Sequence, residues 1–297
     1  MPIFDRYCVG YRRIGSANTA FGILKKDRVV GGNMASVVSK YASKLENLRV
    51  LVLGGTSGIG FCVAEAALES GSHVTISSSR KPKLDAAVSR LRSTYPTLSS
   101  RVTGQLCDLS RSEDLESQLN TLLEVAAAGS KIGHVVFTAG DALKITPVAE
   151  STVEDFQKPG NVRFYGSSVL AKLAPRYMSP GLGSSITFTG GVNSHRPSKN
   201  WTTVAAWGSA IEGLARGLAV DLAPIRVNVV CPGVVHTELL ADIPKERFET
   251  VMKDFAEATL TGRVGKPEEL AEAYLYCMKC QFTTGSTIVC DGGRMLK

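Results

Sequence analysis

Short apolar runs, several closed by glycine, alternate along this chain with longer stretches in which apolar residues return every three or four positions. The first run, residues 49–54 (RVLVLG), has no polar alternation, which predicts a strand buried on both faces. A helical pattern follows over residues 58–68. Further strand-like runs lie at 73–77, 101–107, 134–138, 185–189, 226–231 and 286–290. One intervening helix is expected from a cap at Ser112, with Leu115, Leu119, Leu122 and Leu123 on one face. Another is expected over about residues 203–222, where Ile211, Leu214 and Leu218 hold helical spacing and Pro224 lies beyond the end. Strands alternating with helices predict an α/β fold, a doubly wound parallel sheet of seven strands of the Rossmann type. No repeat or linker breaks the pattern after residue 48. Residues 44–297 therefore read as one domain, preceded by an irregular, disordered extension over residues 1–43.

Bulk composition changes this picture little. The 297 residues are 44% hydrophobic and 21% charged, ordinary for a globular domain of this length. No stretch approaches the roughly 18 apolar residues of a membrane span. The net charge of +7 is uneven: Arg6, Arg12, Arg13, Lys25, Lys26 and Arg28 outweigh Asp5 and Asp27 in the extension, and the body is nearly neutral. That distribution argues against a nucleic-acid face and against a membrane partner. The extension lacks a signal-peptide core, and whether it is a targeting segment stays open. The seven cysteines are scattered, with Cys62, Cys107, Cys231 and Cys290 inside expected strands or helices, so a reduced, cytoplasmic protein is expected. Cys277 and Cys280 form a C-x-x-C with no second pair or histidine cluster. They read as two half-buried thiols at a helix end, and no metal site is expected.

Chemistry enters at the first strand-to-helix turn, Gly54-Gly55-Thr56-Ser57-Gly58-Ile59-Gly60. Glycines there let the chain turn sharply and set backbone N–H groups against a pyrophosphate at a helix N-terminus. The end of the second strand reads Ser77-Ser78-Ser79-Arg80-Lys81. An acidic residue there would hold a ribose 2′-hydroxyl; hydroxyls beside a guanidinium suit a 2′-phosphate, so NADP(H) is the expected cofactor.

The spacing of the glycine turn resembles the short-chain dehydrogenase/reductase family, and further landmarks follow in that family's order over about residues 44–296. Asp108 stands at the adenine-binding aspartate and Thr138-Ala139-Gly140 where the family has Asn-Ala-Gly. Ile225-Arg226-Val227-Asn228 leads to Pro232-Gly233, with Val235 and Thr237 at the nicotinamide end, and Asp291-Gly292-Gly293 follows the last strand. The resemblance implies cofactor contacts from Gly54, Thr56, Ser57, Ile59, Ser78, Ser79, Arg80, Asp108, Thr138, Gly140, Gly233, Val235 and Thr237. It also implies a homodimer or homotetramer packed through helices near residues 155–177 and 201–222.

The same family works with a Ser, a Tyr-x-x-x-Lys and an Asn. Aligned on Glu212-Gly213-Leu214, those positions hold Gly191, Val204, Gly208 and Arg163, and no tyrosine lies between Tyr177 and Tyr274. A ketone reduced by hydride becomes an alkoxide that needs a proton, and loss of the general acid costs ~10²–10⁴ in rate. An iminium carbon needs none. Arg163, the missing Tyr and Lys, and the segment Arg196-Pro197-Ser198-Lys199-Asn200-Trp201 resemble a fungal branch of the family. It includes the reductase/Diels–Alderases of the malbrancheamide and paraherquamide indole alkaloids. Ser198 stands where that branch has a catalytically important Asp, while Arg163 and Trp201 match it.

The resemblance implies a reductase of fungal secondary metabolism, with Arg163, Trp201 and Ser198 at the small-molecule site and a pericyclase activity in question. Plainer readings stand beside it. Arg163 suits an ion pair with Glu154 or Asp155, Trp201 suits packing, Tyr165 suits the core, and His195 suits the surface. At the level of the whole chain, the alternatives are a non-catalytic NADP-binding scaffold and a ketone reductase using His195 as its acid.

Overall fold

The computed structural model describes residues 40–143, 145–241 and 243–297, so nearly all of the expected extension lies outside the described residues. A single 3₁₀ turn, Ala42–Leu45, seats Leu45 in the core and leads into β1 (Arg49–Leu53). Then follow α1 (Gly58–Glu69), β2 (His73–Ser78), α2 (Lys81–Thr94), β3 (Val102–Leu106), α3 (Leu115–Ala126), β4 (His134–Phe137) and α4 (Val153–Gly160). The second half holds α5 (Ser167–Leu173), β5 (Ser185–Thr189), α6 (Thr202–Asp221), β6 (Arg226–Pro232), α7 (Lys245–Glu257), α8 (Pro267–Lys279) and β7 (Thr287–Cys290).

All seven strands are parallel, in the order β3-β2-β1-β4-β5-β6-β7. Each strand sends alternate side chains to opposite faces, and both faces are buried in β1, β2, β4, β5 and β6, while the edge strands β3 and β7 are largely half-buried or exposed. Leu51, Leu53, Val135, Phe137, Ile186, Phe188, Val227 and Val229 join the core under α3, α5 and α6. Val50, Val52, Val74, Ile76, Val136 and Val230 join the core under α1, α2 and α8. Burial on both faces is why the inner strands read as unbroken apolar runs. Chain direction through the sheet reverses between β1 and β4, which opens a crevice beyond their carboxyl ends.

Three local expectations are corrected. The helix with the leucine stripe starts at Leu115, with Asp114 and not Ser112 at its cap position. Asp108 Oδ1 instead accepts hydrogen bonds from Ser110 N (3.0 Å) and Ser110 Oγ (2.8 Å), and the chain runs on in turns before the helix begins. Tyr165 is 51% exposed and not core, because the buried stripe of its segment is Val162, Gly166 and Leu170. Of the C-x-x-C pair only Cys280 is half-buried; Cys277 is fully buried, and all six described cysteines are free. Among the described residues no helix is long and apolar enough to cross a membrane.

Candidate active site

At the end of β1 the backbone of Gly54 takes φ +80°, and a Cβ there would lie 2.7 Å from Ala139 N. Only glycine fits both demands. Gly60, the last glycine of the turn, is pressed against Gly54 O and Thr138 Oγ1, and Thr138 Oγ1 donates to Leu53 O (2.8 Å). This contact locks β1 to β4 where the sheet reverses. Ser57 precedes α1 in extended backbone without a side-chain cap, so the first N–H groups of the helix have no acceptor within it. A helix start of this kind suits an anion.

A cleft of about 790 Å³ opens over this turn, lined by Gly54, Thr56, Ser57 and Ile59. Ser77, Ser78, Ser79, Arg80 and Lys83 continue its wall, and Ser78 Oγ accepts from Arg80 N (3.3 Å). No carboxylate stands among these five. Asp108, Thr138, Gly140, Gly233, Val235 and Thr237 also line the cleft, with Thr237 against Gly58 of the turn. A phosphate with an adjacent ribose fits this half: a glycine cradle, free N–H groups, hydroxyls and two cationic side chains.

The other half of the cleft is built differently. Pro159 sits inside α4, and the helix then widens into a π-helical turn, Asn161–Gly166, before α5. Arg163, on that turn, enters the cleft, lies against Gly140, and donates from Nη2 to Asp141 O (2.6 Å). It pairs with neither Glu154 nor Asp155; Asp155 instead closes a capping box with Thr152. Burial lowers the Arg163 pKa, against the pull of Asp141; partial burial raises the Asp141 carboxyl, against Arg163 and Lys158. Asp141 also lines the cleft and escaped sequence reading, although it directly follows Thr138-Ala139-Gly140.

Gly191, Val204 and Gly208 line the cleft beside Arg163, so the four aligned positions do converge. A Cβ at Gly191 would meet nothing within 4 Å, whereas one at Gly208 would lie 3.2 Å from Ser194 Cβ. The space beside Gly208 is partly taken. Both tryptophans of the chain line the cleft. Trp201 sits at the start of α6; Trp207, missed from sequence, packs on Gly160 and donates Nε1–H to Phe156 O (2.8 Å).

One expected site residue, Ser198, is elsewhere, and His195 is at the surface as its plainer reading expects. Ser198 does not line the cleft; its Oγ accepts from Arg294 Nη2 (3.1 Å), which turns it toward the C-terminal segment. His195 is outside as well. Its Nε2 lies 2.9 Å from Glu212 Oε2, a carboxylate only 5% exposed. Glu212 also accepts from Ser194 Oγ (2.5 Å) and Thr287 Oγ1 (3.3 Å), with Cys231 Sγ at 3.7 Å. Burial and Glu212 push the Cys231 thiol up to about 12. Among the described residues, the Tyr274 hydroxyl lies 2.7 Å from Oγ1 of Thr189, a cleft-lining residue of β5. Tyr274 is itself fully buried, and burial raises its pKa.

A family model described as an SDR-like Rossmann domain matches residues 41–297. The chain is 41% identical over 255 residues to the short-chain dehydrogenase/reductase malC of Malbranchea aurantiaca, covering 85% of this chain and 96% of that one. It is 40% identical over 266 residues to fsr5 of Gibberella fujikuroi, another short-chain dehydrogenase/reductase, covering 89% and 100%. The solved MalC reductase/Diels–Alderase superposes with a TM-score of 0.82 at 40% identity, over 86% of this chain and 99% of that chain. A small-chain dehydrogenase solved with NADPH superposes with a TM-score of 0.69 at 27% identity, over 85% and 100%.

Proposed function

The chain belongs to the short-chain dehydrogenase/reductase family, and from that premise we propose that it is an NADPH-dependent reductase of secondary metabolism. Its substrate is an iminium or comparably activated electrophile, reduced without a tyrosine acid. Bound NADPH supplies the hydride. The observation that carries the reading is the pairing of a complete dinucleotide cradle with Gly191, Val204, Gly208 and Arg163 at the positions of the family's Ser, Tyr, Lys and Asn.

The N–H groups at the start of α1 hold the pyrophosphate, and Ser78, Ser79 and Arg80 hold the 2′-phosphate. Asp108 and Thr138, which line the cleft, would meet the adenosine, and Gly233, Val235 and Thr237, which line it too, the nicotinamide. Trp201 and Trp207 wall a flat substrate. Arg163 holds an anionic oxygen, and the Asp141 carboxylate favours a cationic nitrogen, so a zwitterion suits the cleft. When hydride adds to the iminium carbon, the C=N pair collapses onto nitrogen and leaves a neutral amine, so no side chain has to release a proton. A cycloaddition after reduction would rest on the shape of the tryptophan walls, because Ser198 is turned to Arg294. The exposed Val153, Phe156 and Tyr165 support pairing of two copies through α4 and the π-helical turn, which light scattering would measure.

NADPH oxidation with a cyclic iminium and with a matched ketone tests the reading, beside NADPH binding followed by fluorescence. Turnover of the iminium alone is expected. Tight binding without turnover of either substrate would favour a scaffold, and ketone turnover would mean that an acid is still at work.

A further inference from the structure

The last residues of the chain reach back toward the loop before α6. After β7 the chain turns at Gly292 and Gly293, and Asp291 caps the turn, accepting from Gly293 N (2.8 Å) and Met295 N (2.9 Å). Leu260 N (2.8 Å) and Thr261 N (3.1 Å) donate to Gly292 O, and Lys297 Nζ donates to Thr259 O (3.2 Å). The turn is thus fastened to the segment after α7, the helix whose Phe255 lines the cleft.

Arg294 joins this fixed turn to the loop before α6. Its Nη2 donates to Ser198 Oγ (3.1 Å), and its carbonyl oxygen accepts from Arg196 Nη1. Ser198 is half-buried, while its neighbours Arg196, Pro197, Lys199 and Asn200 are exposed. It also opens a tight turn. Trp201 N donates to Ser198 O (3.1 Å), and Asn200 holds φ +69°, a left-handed conformation that asparagine tolerates better than most residues. Ser198 and Trp201 are therefore the two ends of one closed turn, and Trp201 lines the cleft. What holds the first sets the second.

We propose that Arg294 is a positioning residue for substrate selection: through Ser198 it fixes the turn that carries Trp201, and with it the aromatic wall of the cleft. The proposal rests on the reductase reading only for the class of ligand. A wall held in place before the ligand arrives costs no ordering on binding, whereas an exposed loop that must be ordered by the ligand costs affinity. A fused-ring ligand covers more of that wall than a single ring and depends more on its being fixed. The consequence is selectivity among ring systems, with the dinucleotide half left alone, because its lining comes from other elements: the β1–α1 turn and the end of β2.

The test uses the full chain carrying Trp207→Phe, which leaves Trp201 as its one tryptophan. Arg294→Ala is expected to raise acrylamide quenching of Trp201 in the NADP⁺ complex and to leave NADPH affinity within about 2-fold. Ligand binding is followed by Trp201 emission. The same variant should weaken N-methyl-3,4-dihydroisoquinolinium, with its fused rings, about 5-fold, and the single-ring N-methyl-1-pyrrolinium by less than about 2-fold. Ser198→Ala should match it, and the double variant should lose no more than either alone, because both remove one contact. Ser198→Asp should lower the quenching where Arg294 is present, as a charge-assisted pair, and have no such effect beside Arg294→Ala. If Arg294→Ala does not fold, Ser198→Ala and Ser198→Asp carry the test. Unchanged quenching, equal losses for both ligands, or fully additive losses in the double variant would overturn the proposal. If the quenching pattern holds but neither iminium is bound or reduced with NADPH, the Arg294 contact stands and the reductase reading falls.

Discussion

The two halves of the cleft sit at the ends of strands of the same sheet and have met opposite fates. At the β1–α1 side, backbone geometry allows almost no change: Gly54 needs positive φ and lies against Ala139, and Gly60 lies against Gly54 and Thr138. At the β5–α6 side the work of the family's tetrad is done by side chains, and in the proposed reading these are gone without disturbing the fold. Gly191, Val204 and Gly208 still line the cleft, and α6 still runs for 20 residues. Binding encoded in the backbone is hard to lose piecemeal; proton transfer encoded in four side chains is not. The difference separates cofactor binding from acid chemistry in one pocket.

Substitutions that invade the backbone cradle should have the largest effect. Gly54→Val is expected to cost about 3 kcal/mol or more, from positive φ and overpacking together, and to abolish NADPH binding. Thermal melting and NADPH fluorescence would show it. Next is Arg80→Ala, expected to weaken NADPH about 10- to 100-fold and to leave NADH within a few-fold, as loss of a charge-assisted phosphate contact should. Equal losses for both dinucleotides would remove the 2′-phosphate assignment.

Restoring the lost chemistry sharpens the comparison from the other side. Gly191→Ser should be nearly neutral for stability, since nothing occupies its Cβ direction. Gly208→Lys should cost about 1–3 kcal/mol because Ser194 stands in the way, and Ser194→Gly in the same chain should recover part of it. Denaturant midpoints of the two single variants and the double variant would measure that coupling. The smallest effect is expected at Tyr274→Phe: about 1 kcal/mol from its bond to Thr189, with no change in the pH profile of turnover. A lost alkaline limb in that variant would identify a buried tyrosine acting through Thr189.

Legibility in the sequence follows the same division. The inner strands were readable because burial on both faces writes itself as apolar runs, and the glycine turn because its geometry tolerates one residue type. Every expected cofactor position lines the cleft. The active-site side was readable only where a position is fixed by alignment to α6. Ser198 was misplaced because its direction is set by Arg294, far along the chain. Trp207 and Glu212 were missed because helical spacing shows neither which wall of a cleft a residue joins nor which distant loop reaches a buried carboxylate. Ser112 was misjudged because the chain takes an Asp108-centred turn first, which no helical pattern records.

The most direct test of the central claim, hydride delivery in a cleft that supplies no proton, is a pair of isotope effects on reduction of a cyclic iminium. With NADPH deuterated at the transferred position, a primary effect of about 2 or more is expected, alongside a solvent effect near 1 in D₂O. A substantial solvent effect on the same step would show a proton in flight and contradict the account.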